Sequence, residues 1–491
     1  MIEKLVLVTG ANGFIASRLI PRLLRDGYRV RLLARKPERL KGRTWLPQVE
    51  VRGGNTSDIE SLVAAMEGVH TVYYLIHSMS SGRGYTEIER ESARRFAAAA
   101  EAAGVQHVIY LGGLANPRDP HLSPHMRSRI ETGEVLRRGR VPVTEFRAGV
   151  IAGAGSISFE MVRFLTECFP ILPGPSWLRN QAQPIASENV IDYLMLSLEK
   201  PEARGAIYEM GGPEQMPYGD VMLQYARSRG LKRRVFTLPG IPIWWMAMFV
   251  DRLTPVPYPI ATALVGGLQS DSSVTDDSAR RMFPEVRLIS YEAALGAALH
   301  DLTPARLERV WEGMGTDTAN FRHEGFIVDY RTRTVKAPPS TVFEQLLRMG
   351  GRNHWPYADW LWRLRGCLDR IVSTQRAHKN TTEANTGMPS VVNRRSDNPG
   401  LEVGQAVDYY RVEAFEPGRL LRLRSTLRAP GEGWLEWRVD PKTAETSQLT
   451  QTAFFAPRGV ASFLYWFALG PLHEFVLRGL VGALRRRSES A

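Results

Sequence analysis

The residues best suited to chemistry stand near the start of the chain, in a run of small and polar side chains. Thr9-Gly10-Ala11-Asn12-Gly13-Phe14-Ile15-Ala16 follows an apolar segment and opens a helical pattern. In that setting Gly10 permits a tight turn, and Gly13 lets the backbone approach a pyrophosphate at the helix N-terminus. Ala16 stands where the dinucleotide fingerprint has its third glycine, and it is small enough for helix–strand packing. The strand–turn–helix context makes the pattern specific, and it predicts a bound dinucleotide.

The end of the second apolar segment indicates which dinucleotide is bound. An acidic residue about twenty positions beyond the glycines accepts a hydrogen bond from the ribose 2′-hydroxyl of NAD(H). This chain reads Leu32-Leu33-Ala34-Arg35-Lys36 and has no carboxylate there. The Arg35 guanidinium can bind a 2′-phosphate through two hydrogen bonds, and Lys36 adds positive charge. NADP(H) is therefore favoured over NAD(H), although a solvated basic turn would show the same residues.

Short apolar runs alternate with helical periods from residue 1 to about 155. Strict alternation predicts right-handed βαβ units and a doubly wound parallel sheet, an α/β Rossmann fold. Residues 150–305 are less regular and rich in Pro and Trp, and we expect them to form a substrate region over the carboxyl ends of the strands. The predicted strands are Leu5–Thr9, Arg29–Ala34, Val49–Arg52, Thr71–Ile76, Val108–Leu111 and Val143–Phe146, and the predicted helices are Gly13–Asp26, Asp58–Met66, Tyr85–Ala103 and Arg127–Arg138.

A different pattern begins near residue 320. Strand-like runs and a long final helix predict an α+β domain over 321–491, separated by a linker at 306–320 from a first domain at 1–305. The predicted strands are Phe326–Val335, Ala406–Glu413, Leu420–Arg428, Gly433–Val439 and Ser447–Phe455. The predicted helices are Thr341–Met349, Tyr357–Ile371 and one from about Gly459 to Arg487, and His378 to Gly404 is predicted to be an insertion loop.

The N-terminal motifs resemble those of the atypical or extended short-chain dehydrogenase/reductase family, close to its NmrA-like members. The resemblance rests on Thr9-Gly10-x-x-Gly13-x-x-Ala16 and on Gly54-Asn55-x-x-Asp58 after the third strand. It covers residues 1 to about 300. It implies that Asn55 stands where the family has an adenine-contacting Asp, and that Leu75, His77 and Ser78 line the cofactor ribose.

The same resemblance directs attention to His125 and Arg129. The family's catalysis rests on a Tyr-x-x-x-Lys pair on one helix face, with an upstream Ser or Thr. The matching segment here is His125-Met126-Arg127-Ser128-Arg129, and Gly112-Gly113 stands where the hydroxyl residue is expected. The i, i+4 spacing is kept, so His125 and Arg129 share a face. Two interpretations remain open: His125 is a substitute general acid, or the protein is a non-catalytic NADP(H)-binding sensor or scaffold.

The C-terminal pattern resembles the helix-grip fold of START-like ligand-binding proteins, in which a curled sheet surrounds the last helix. The tract Trp360-Leu361-Trp362-Arg363-Leu364 and the Gly433-Trp434 segment resemble a group of bacterial proteins in which an atypical dehydrogenase domain precedes a domain of unknown function. The resemblance implies an apolar cavity, and we expect an apolar small molecule in it. Most of the aromatic residues are expected to form the core.

The final helix allows two interpretations. Gripped by the sheet, it would bury Phe463, Trp466, Phe467 and Phe475. Alternatively, its basic end at Arg485-Arg486-Arg487 could lie against an anionic membrane surface. The gripped helix is favoured, because the preceding strands need a partner for their apolar face.

The distribution of charge and the N-terminal residues indicate which partners and which location to expect. The chain has 63 Lys and Arg against 51 Asp and Glu, a formal net charge of +12. The cations are dispersed, so we expect no nucleic-acid partner. Met1-Ile2-Glu3-Lys4 does not resemble the start of an export signal, and a cytoplasmic location is expected. The oligomeric state is left open.

We expect no metal site. Cys168 and Cys367, the two cysteines, have no ligand spacing, and they suit a reducing compartment. His323-Glu324 and His473-Glu474 begin like a zinc-protease motif, but each lacks the second histidine.

Overall fold

The computed structural model describes residues 2–77, 84–309, 312, 314–350, 353–364, 401–427 and 430–491. The chain divides into two units, residues 1–314 and 315–491. Part of the expected linker 306–320 belongs to the first unit, because Trp45 Nε1 donates to Glu308 Oε1 at 2.9 Å and Arg43 pairs with the same carboxylate. The second unit starts earlier than expected, with a strand that begins at Thr318.

As far as residue 148, helices and strands lie at the predicted places, to within a few residues at each end. In chain order the elements are β1 (Ile2–Thr9), α1 (Phe14–Arg25), β2 (Tyr28–Ala34), β3 (Glu50–Gly53), α2 (Ile59–Met66), β4 (Thr71–Tyr74), α3 (Tyr85–Ala102), β5 (His107–Gly113), α4 (Pro124–Arg137), β6 (Val143–Ala148), β7 (Ile151–Ala152), α5 (Ile157–Cys168), β8 (Ile171–Pro175), β9 (Gln181–Ala182), β10 (Ile185–Ala186), α6 (Ser187–Glu199), β11 (Ile207–Met210), β12 (Met216–Pro217), α7 (Tyr218–Ser228), β13 (Arg234–Leu238), α8 (Ile243–Leu253), α9 (Tyr258–Gly267), α10 (Ser278–Met282) and α11 (Tyr291–His300).

A seven-stranded parallel sheet forms the centre of this unit, in the order β11-β6-β5-β4-β1-β2-β3. The chain runs outward from β1 to β3, returns to β4 beside β1, and continues outward in the other direction. This reversal leaves a crevice at the carboxyl ends of β1 and β4, where open α/β sheets bind ligands. The predicted α/β class, with a doubly wound parallel sheet, is confirmed.

Apolar side chains cover both faces of the sheet, as expected for parallel strands that are buried on both sides. On one face α1 buries Leu19, Ile20 and Leu23. On the other face Phe96 of α3 packs edge-on against the Tyr74 ring, with centroids 4.7 Å apart. These two layers hold the strand ends at which the glycine turn lies.

The second unit contains a separate antiparallel sheet. Its elements are β14 (Thr318–His323), β15 (Phe326–Val335), α12 (Pro339–Leu347), β16 (Ala406–Val407), β17 (Tyr410–Glu416), β18 (Leu420–Ser425), β19 (Gly431–Pro441), β20 (Ser447–Pro457), α13 (Val460–Ala468) and α14 (Gly470–Glu489). The strand order is β14-β15-β20-β19-β18-β17-β16, and every pairing is antiparallel.

Two strand predictions in this unit are corrected. β14 was not predicted, because its polar sequence lacks the apolar alternation that reveals a strand. The predicted strand Ala406–Glu413 is two strands, β16 and β17. The chain turns between them at Asp408, whose φ of 52° is left-handed and ends an extended segment.

The helix α14 packs on the sheet and closes the core of this unit. Leu477, Leu480, Val481 and Leu484 of α14 are buried in a cluster that includes Trp437 of β19. The backbone of α14 is also hydrogen-bonded to the sheet, since Gln451 Nε2 of β20 donates to the Leu477 carbonyl oxygen at 2.9 Å.

The last helical segment is broken, which corrects the prediction of one helix from about Gly459 to Arg487. α13 and α14 meet at an angle of 59°. Pro471 explains the break: it has no N–H to continue the ladder of α13, but it is tolerated in the first turn of a new helix.

The burial expected for four aromatic residues of this segment is only partly observed. Phe463 is buried and Trp466 is half-buried, stacking on Phe455 of β20 at 4.9 Å. Phe467 and Phe475 are exposed, which corrects the expectation for them. A single long helix would have kept all four on the sheet, whereas the bend turns part of the apolar surface outward.

Within the described residues, no single helix is long and apolar enough to cross a membrane, and α13 with α14 passes the same criteria only as a bent pair. The predicted helix Tyr357–Ile371 is helical over residues 359–364. Its remainder, Cys367 and the predicted loop as far as residue 400 lie outside the described residues.

Candidate active site

The turn after β1 requires a glycine at position 10. Gly10 has a φ of +67°, and a Cβ there would lie 2.6 Å from the carbonyl oxygen of Leu75, beyond the end of β4. The turn is closed by the Gly13 N–H, which donates to the Gly10 carbonyl at 2.7 Å. Any larger residue at position 10 would therefore push the ends of β1 and β4 apart.

The start of α1 is shaped to receive an anion. Gly13 caps the helix, no side chain caps it by a hydrogen bond, and no acidic residue lies in the first turn. Asn12 and Gly13 are exposed. The N–H groups of the first turn and the positive end of the helix dipole therefore face a crevice that fits a dinucleotide pyrophosphate.

The other predicted residues of this loop have different surroundings. The Thr9 hydroxyl donates to the Tyr73 carbonyl at 2.9 Å and accepts from the Leu75 N–H at 3.1 Å, so its side chain joins β1 to β4 and does not face the crevice. Phe14 and Ile15 are half-buried. The Arg18 guanidinium lies 3.9 Å from the centre of the Phe14 ring, which keeps that ring in place beside the crevice.

Arg35 and Lys36 follow β2 and are both exposed. Among the described residues neither side chain forms an ion pair, so both charges are available to a ligand. β3 pairs beside β2 with Ala34 opposite Gly53, which brings Asn55 to the same edge of the sheet. Asn55 is exposed, and its side-chain oxygen accepts from the Ser57 N–H at 3.4 Å.

A cluster of titratable side chains lies beyond the end of β4. His77 Nδ1 is 2.6 Å from Glu89 Oε1 of α3, and the His77 ring stacks on the His125 ring with centroids 4.9 Å apart. The Ser128 hydroxyl donates to the other oxygen of Glu89. Leu75 precedes this cluster, and Ser78 lies outside the described residues. The structure thus joins His77 and His125, which are far apart in the sequence.

Burial keeps both imidazoles neutral. It lowers the pKa of His125 to about 3, and the nearby His77 and Arg129 act in the same direction. The pKa of His77 is also lowered, chiefly by burial. Burial alone would raise the pKa of Glu89, but the His77 and Ser128 hydrogen bonds and the Arg129 charge bring it down to about 2. The cluster therefore holds one carboxylate and two neutral rings at physiological pH.

Arg129 supports the strand ends. Its Nη1 donates to the Ile76 carbonyl at 3.3 Å, its Nη2 donates to the Leu111 carbonyl, and its guanidinium lies 4.9 Å from the centre of the Tyr110 ring. The side chain is buried. Arg129 shares a helix with His125, as predicted, but it holds β4 and β5 together at the point where the resemblance predicts a ribose-contacting cation.

The position expected for a catalytic hydroxyl is filled by another side chain. A Cβ on Gly113, at the end of β5, would lie 2.7 Å from Met126 Cε. Met126 Cε is the end of a flexible side chain, so a serine at position 113 would require Met126 to adopt another rotamer.

An apolar cavity of about 180 Å³ opens beside His125. It lies between the segment Gly153–Trp177 and the segment Thr237–Leu264, which the substrate region contributes. Met161, Phe169, Trp177 and Phe249 are among its lining residues. Since His125 lines the cavity and also stacks on His77, its ring connects the cavity to the end of β4.

Glu89 was missed by sequence reasoning, although a signal existed. α3 buries Ser92, Ala93, Phe96 and Ala99, and Glu89 lies on that same face. An acidic residue on the buried face of a helix requires a partner. Here the partners are His77, Ser128 and the Arg129 charge.

The second unit has an apolar cavity of about 290 Å³. Trp362, Tyr410, Trp434 and Leu477 are among its lining residues. The Trp362 ring stacks on Trp355 at 4.3 Å, which holds one wall. Throughout the described ranges, no group of His, Cys, Asp and Glu side chains has the arrangement of a metal site.

Two family models match different parts of the chain. Residues 10–137 match a family described as NAD(P)H-binding. Residues 324–480 match a family described as a protein of unknown function, DUF2867. The first match covers the glycine turn, the β2 end and the His77–Glu89–His125 cluster, and the second covers most of the antiparallel unit.

Two reductases resemble about half of the chain. The (4-alkanoyl-5-oxo-2,5-dihydrofuran-3-yl)methyl phosphate reductase of Streptomyces griseus is 29% identical over 232 residues, which are 46% of this chain and 74% of that protein. Ceramide reductase of Caulobacter vibrioides is 28% identical over 254 residues, 50% of this chain and 77% of that protein.

Among solved structures, triphenylmethane reductase of Citrobacter sp. is similar with a TM-score of 0.49 and 20% identity, over 60% of this chain and 99% of that one. The matched residues and the parallel sheet together show an NAD(P)H-binding Rossmann-like domain, followed by a domain of unknown function of the DUF2867 type.

Proposed function

We propose that the protein is a cytoplasmic NADP(H)-dependent oxidoreductase that reduces an apolar carbonyl or enone. The position of His125 carries this proposal, because its ring lines the apolar cavity and stacks on His77 at the end of β4. A single side chain therefore borders both the cofactor crevice and the substrate volume. The names of the relatives support a reductase of some kind.

NADP(H) is proposed in preference to NAD(H) because Arg35 and Lys36 are exposed at the end of β2. A 2′-phosphate would offer these cations a charge-assisted partner. The start of α1 would hold the pyrophosphate, and Asn55 is placed to contact the adenine. When bound, the reduced cofactor supplies a hydride.

His125 acts in this proposal as a neutral hydrogen-bond donor. With a pKa of about 3 it does not carry the proton of an ordinary imidazolium at neutral pH. A neutral ring still has one N–H, which donates to a carbonyl oxygen in the cavity and stabilises the negative charge that develops there. The alkoxide or enolate left by hydride addition then takes its proton from solvent as the product leaves. This proposed role differs from that of the substitute general acid expected from the sequence.

The surroundings of His125 serve this role. Glu89 accepts from His77 and so fixes the His77 ring on which His125 stacks. The apolar lining excludes water, and an electrostatic interaction with a developing oxyanion is stronger in such a medium. Arg129 is a positioning residue, because it holds the ends of β4 and β5 that frame the site.

A second candidate function is a sensor or scaffold that binds NADP(H) without turnover. Met126 favours it, because this side chain fills the place of the catalytic hydroxyl. The carbonyl-bound Arg129 favours it as well, since a ribose-contacting lysine is lacking.

Consumption of NADPH with a panel of apolar aldehydes, ketones and enones separates the two functions. We expect turnover by the wild type and a fall in kcat of about 10²-fold or more in His125→Ala. His121→Ala, an exposed histidine before α4, is the matched control and should keep its rate. Binding of NADPH without consumption across the panel would favour the sensor, and an unchanged rate in His125→Ala would remove this residue from the mechanism.

We also propose that the second unit holds an apolar small molecule in its 290 Å³ cavity. Leu427 lines this cavity and is half-buried. Leu427→Trp should therefore reduce the cavity volume and weaken the binding of a fluorescent fatty acid by about tenfold. Val403→Trp is the control, because Val403 is exposed and does not line the cavity. Equal weakening in both variants, or in neither, would contradict this proposal.

A further inference from the structure

The helix α8 has two apolar faces with different surroundings. Met246 and Val250 are buried and, with Phe249, line the 180 Å³ cavity. Trp244 and Trp245 point the other way and are 58% and 37% exposed. Among the described residues, the second face is left largely uncovered.

The chain just before α8 extends this exposed surface. Along β13 the exposed residues alternate with half-buried ones, so Arg234, Phe236 and Leu238 lie on one side of the strand. Phe236 is 58% exposed, as is Ile171 on β8, which pairs with Arg234. We call Ile171, Phe236, Leu238, Trp244, Trp245 and Met248 the α8 patch.

Positive charge surrounds the α8 patch. From Arg227 to Arg252 the sequence has six Lys and Arg and a single acidic residue, Asp251. Arg229 pairs with Glu167 of α5, and Arg233 donates to backbone carbonyls of the same helix, so the charge available to a partner comes from the others. The Asp251 carboxylate accepts from the Tyr258 N–H at 2.8 Å, a hydrogen bond that holds it against the start of α9. Lys232 and Arg234 are exposed beside the aromatic residues. The patch therefore joins Trp and Phe side chains with a positive potential.

The patch is continuous with the cavity. The Trp245 ring stacks on Phe249 with centroids 5.6 Å apart, and Phe249 contacts Phe169 at 5.1 Å. Phe249 and Phe169 both line the cavity. Aromatic surface thus runs without interruption from solvent to the volume beside His125.

We propose that the α8 patch binds the surface of an anionic lipid bilayer, from which an apolar substrate enters the cavity without crossing water. Exposed Trp and Phe side chains favour the headgroup region, and neighbouring Lys and Arg are attracted by anionic lipid. A protein partner would not require this basic surround. The route into the cavity rests on the proposed function, whereas the binding to lipid does not.

Co-sedimentation of the full chain with vesicles tests this proposal. We expect binding to vesicles of phosphatidylcholine and phosphatidylglycerol in equal amounts, and much weaker binding to phosphatidylcholine alone. Trp244→Ser with Trp245→Ser should lower the partition coefficient at least about tenfold, because it removes apolar area from the contact. Lys232→Glu with Arg234→Glu should lower it by a similar factor and reduce its salt dependence.

The control is Leu464→Ser with Phe467→Ser, which changes exposed apolar residues of α13 and should leave vesicle binding intact. Thermal melting of every variant verifies folding. Wild-type binding by the Trp244/Trp245 variant would overturn the proposal. So would binding lost only in the α13 variant, or a Trp244/Trp245 effect on self-association in a protein that ignores vesicles. Vesicle binding is measured without turnover and so does not depend on the proposed reaction. A protein that binds vesicles through α8 but consumes no NADPH would refute only the reductase proposal.

Discussion

The cavities of the two units are similar in lining and differ in the charged groups near them. Both have aromatic walls, and each lies beside a sheet. The first includes His125, whose Nδ1 is buried without a hydrogen-bond partner among the described residues. The second includes His473, whose ring contacts Trp466 with centroids 4.8 Å apart. The buried Arg331 of that unit pairs with Asp329 at 2.7 Å and with Glu474 on α14, and none of the three lines the cavity.

This difference indicates which cavity is suited to chemistry. A buried polar atom without a partner costs about 1–3 kcal/mol, so it is retained where a ligand can satisfy it. A buried ion pair whose groups bond to each other offers a ligand nothing and holds structural elements together. The first cavity is distinguished by where its imidazole lies: the His125 ring stacks on His77 beyond the end of β4, whereas the His473 ring of the second cavity packs against Trp466.

Removal of α13 and α14 should have the largest effect, and it should affect only the second unit. Truncation after Arg458 deletes Leu477, Leu480, Val481 and Leu484 from the core of the second unit. We expect that unit to unfold, since loss of a single such side chain already costs about 2–5 kcal/mol. NADPH binding by the first unit should persist. Calorimetry and cofactor titration measure both, and a truncated chain with two cooperative transitions would contradict the assignment.

Gly10→Ala should affect only the first unit, through its cofactor site. The new methyl group would meet the Leu75 carbonyl at 2.6 Å, and position 10 has a left-handed φ. We expect at least about a hundredfold loss of NADPH affinity, with the second unit's melting transition unchanged. Isothermal calorimetry measures the affinity.

Gly27→Ala is the matched control for that variant. Gly27 also has a positive φ, 86°, but a Cβ there meets nothing within 4 Å. It should lose some stability through backbone strain and keep its NADPH affinity. Equal loss of affinity in the two variants would show that strain alone, and not the contact with the end of β4, explains the effect.

Charge removal at the end of β2 sharpens the cofactor assignment. Arg35→Ala with Lys36→Ala should weaken NADPH binding by about tenfold to a hundredfold, the range for a lost charge-assisted hydrogen bond, and leave NADH binding unchanged. Arg29→Ala, exposed at the other end of β2, is the control. Equal affinities of the wild type for the two cofactors, or unaltered discrimination in the double variant, would refute NADP(H) preference.

Burial of two histidines should also make the stability of the first unit depend on pH. Burial lowers the pKa of His125 and of His107 to about 3, whereas each takes a proton near pH 6.5 when unfolded. The unfolded state therefore binds more protons between these values. The free energy of unfolding should fall, as pH drops below about 6.5, by about 1.4 kcal/mol per pH unit for each histidine. Denaturation of the wild type and of His107→Gln with His125→Gln measures the slope, and equal slopes would contradict the shifts.

The parallel sheet was predictable because its sequence signals are local and agree with one another. Apolar runs, helical periods and the glycine turn each specify one element, and the sheet follows from their alternation. The second unit was less predictable. Its edge strand β14 is polar and gives no strand signal. Pro471, which breaks the last helix, lies within an apolar stretch whose helical period continues on both sides of it.

The candidate site was predictable only where its residues share one local element. The glycine turn and the Arg35-Lys36 pair follow single strands, and His125 with Arg129 follows the i, i+4 spacing. The link from Glu89 through His77 to His125 depends on how α3 and α4 pack on the sheet, and so does the neutral state of His125. Burial of this kind cannot be read from spacing, because it is set by residues distant in the chain.

The central claim is that His125 connects the cofactor crevice to the apolar cavity, and a crystal structure of the full chain with NADPH and any co-purified molecule tests it most directly. The account predicts the pyrophosphate at the start of α1, the 2′-phosphate against Arg35, and an apolar molecule whose carbonyl oxygen accepts from the His125 ring. A nucleotide bound away from the end of β4, or a cavity occupant with no polar contact to His125, would contradict it.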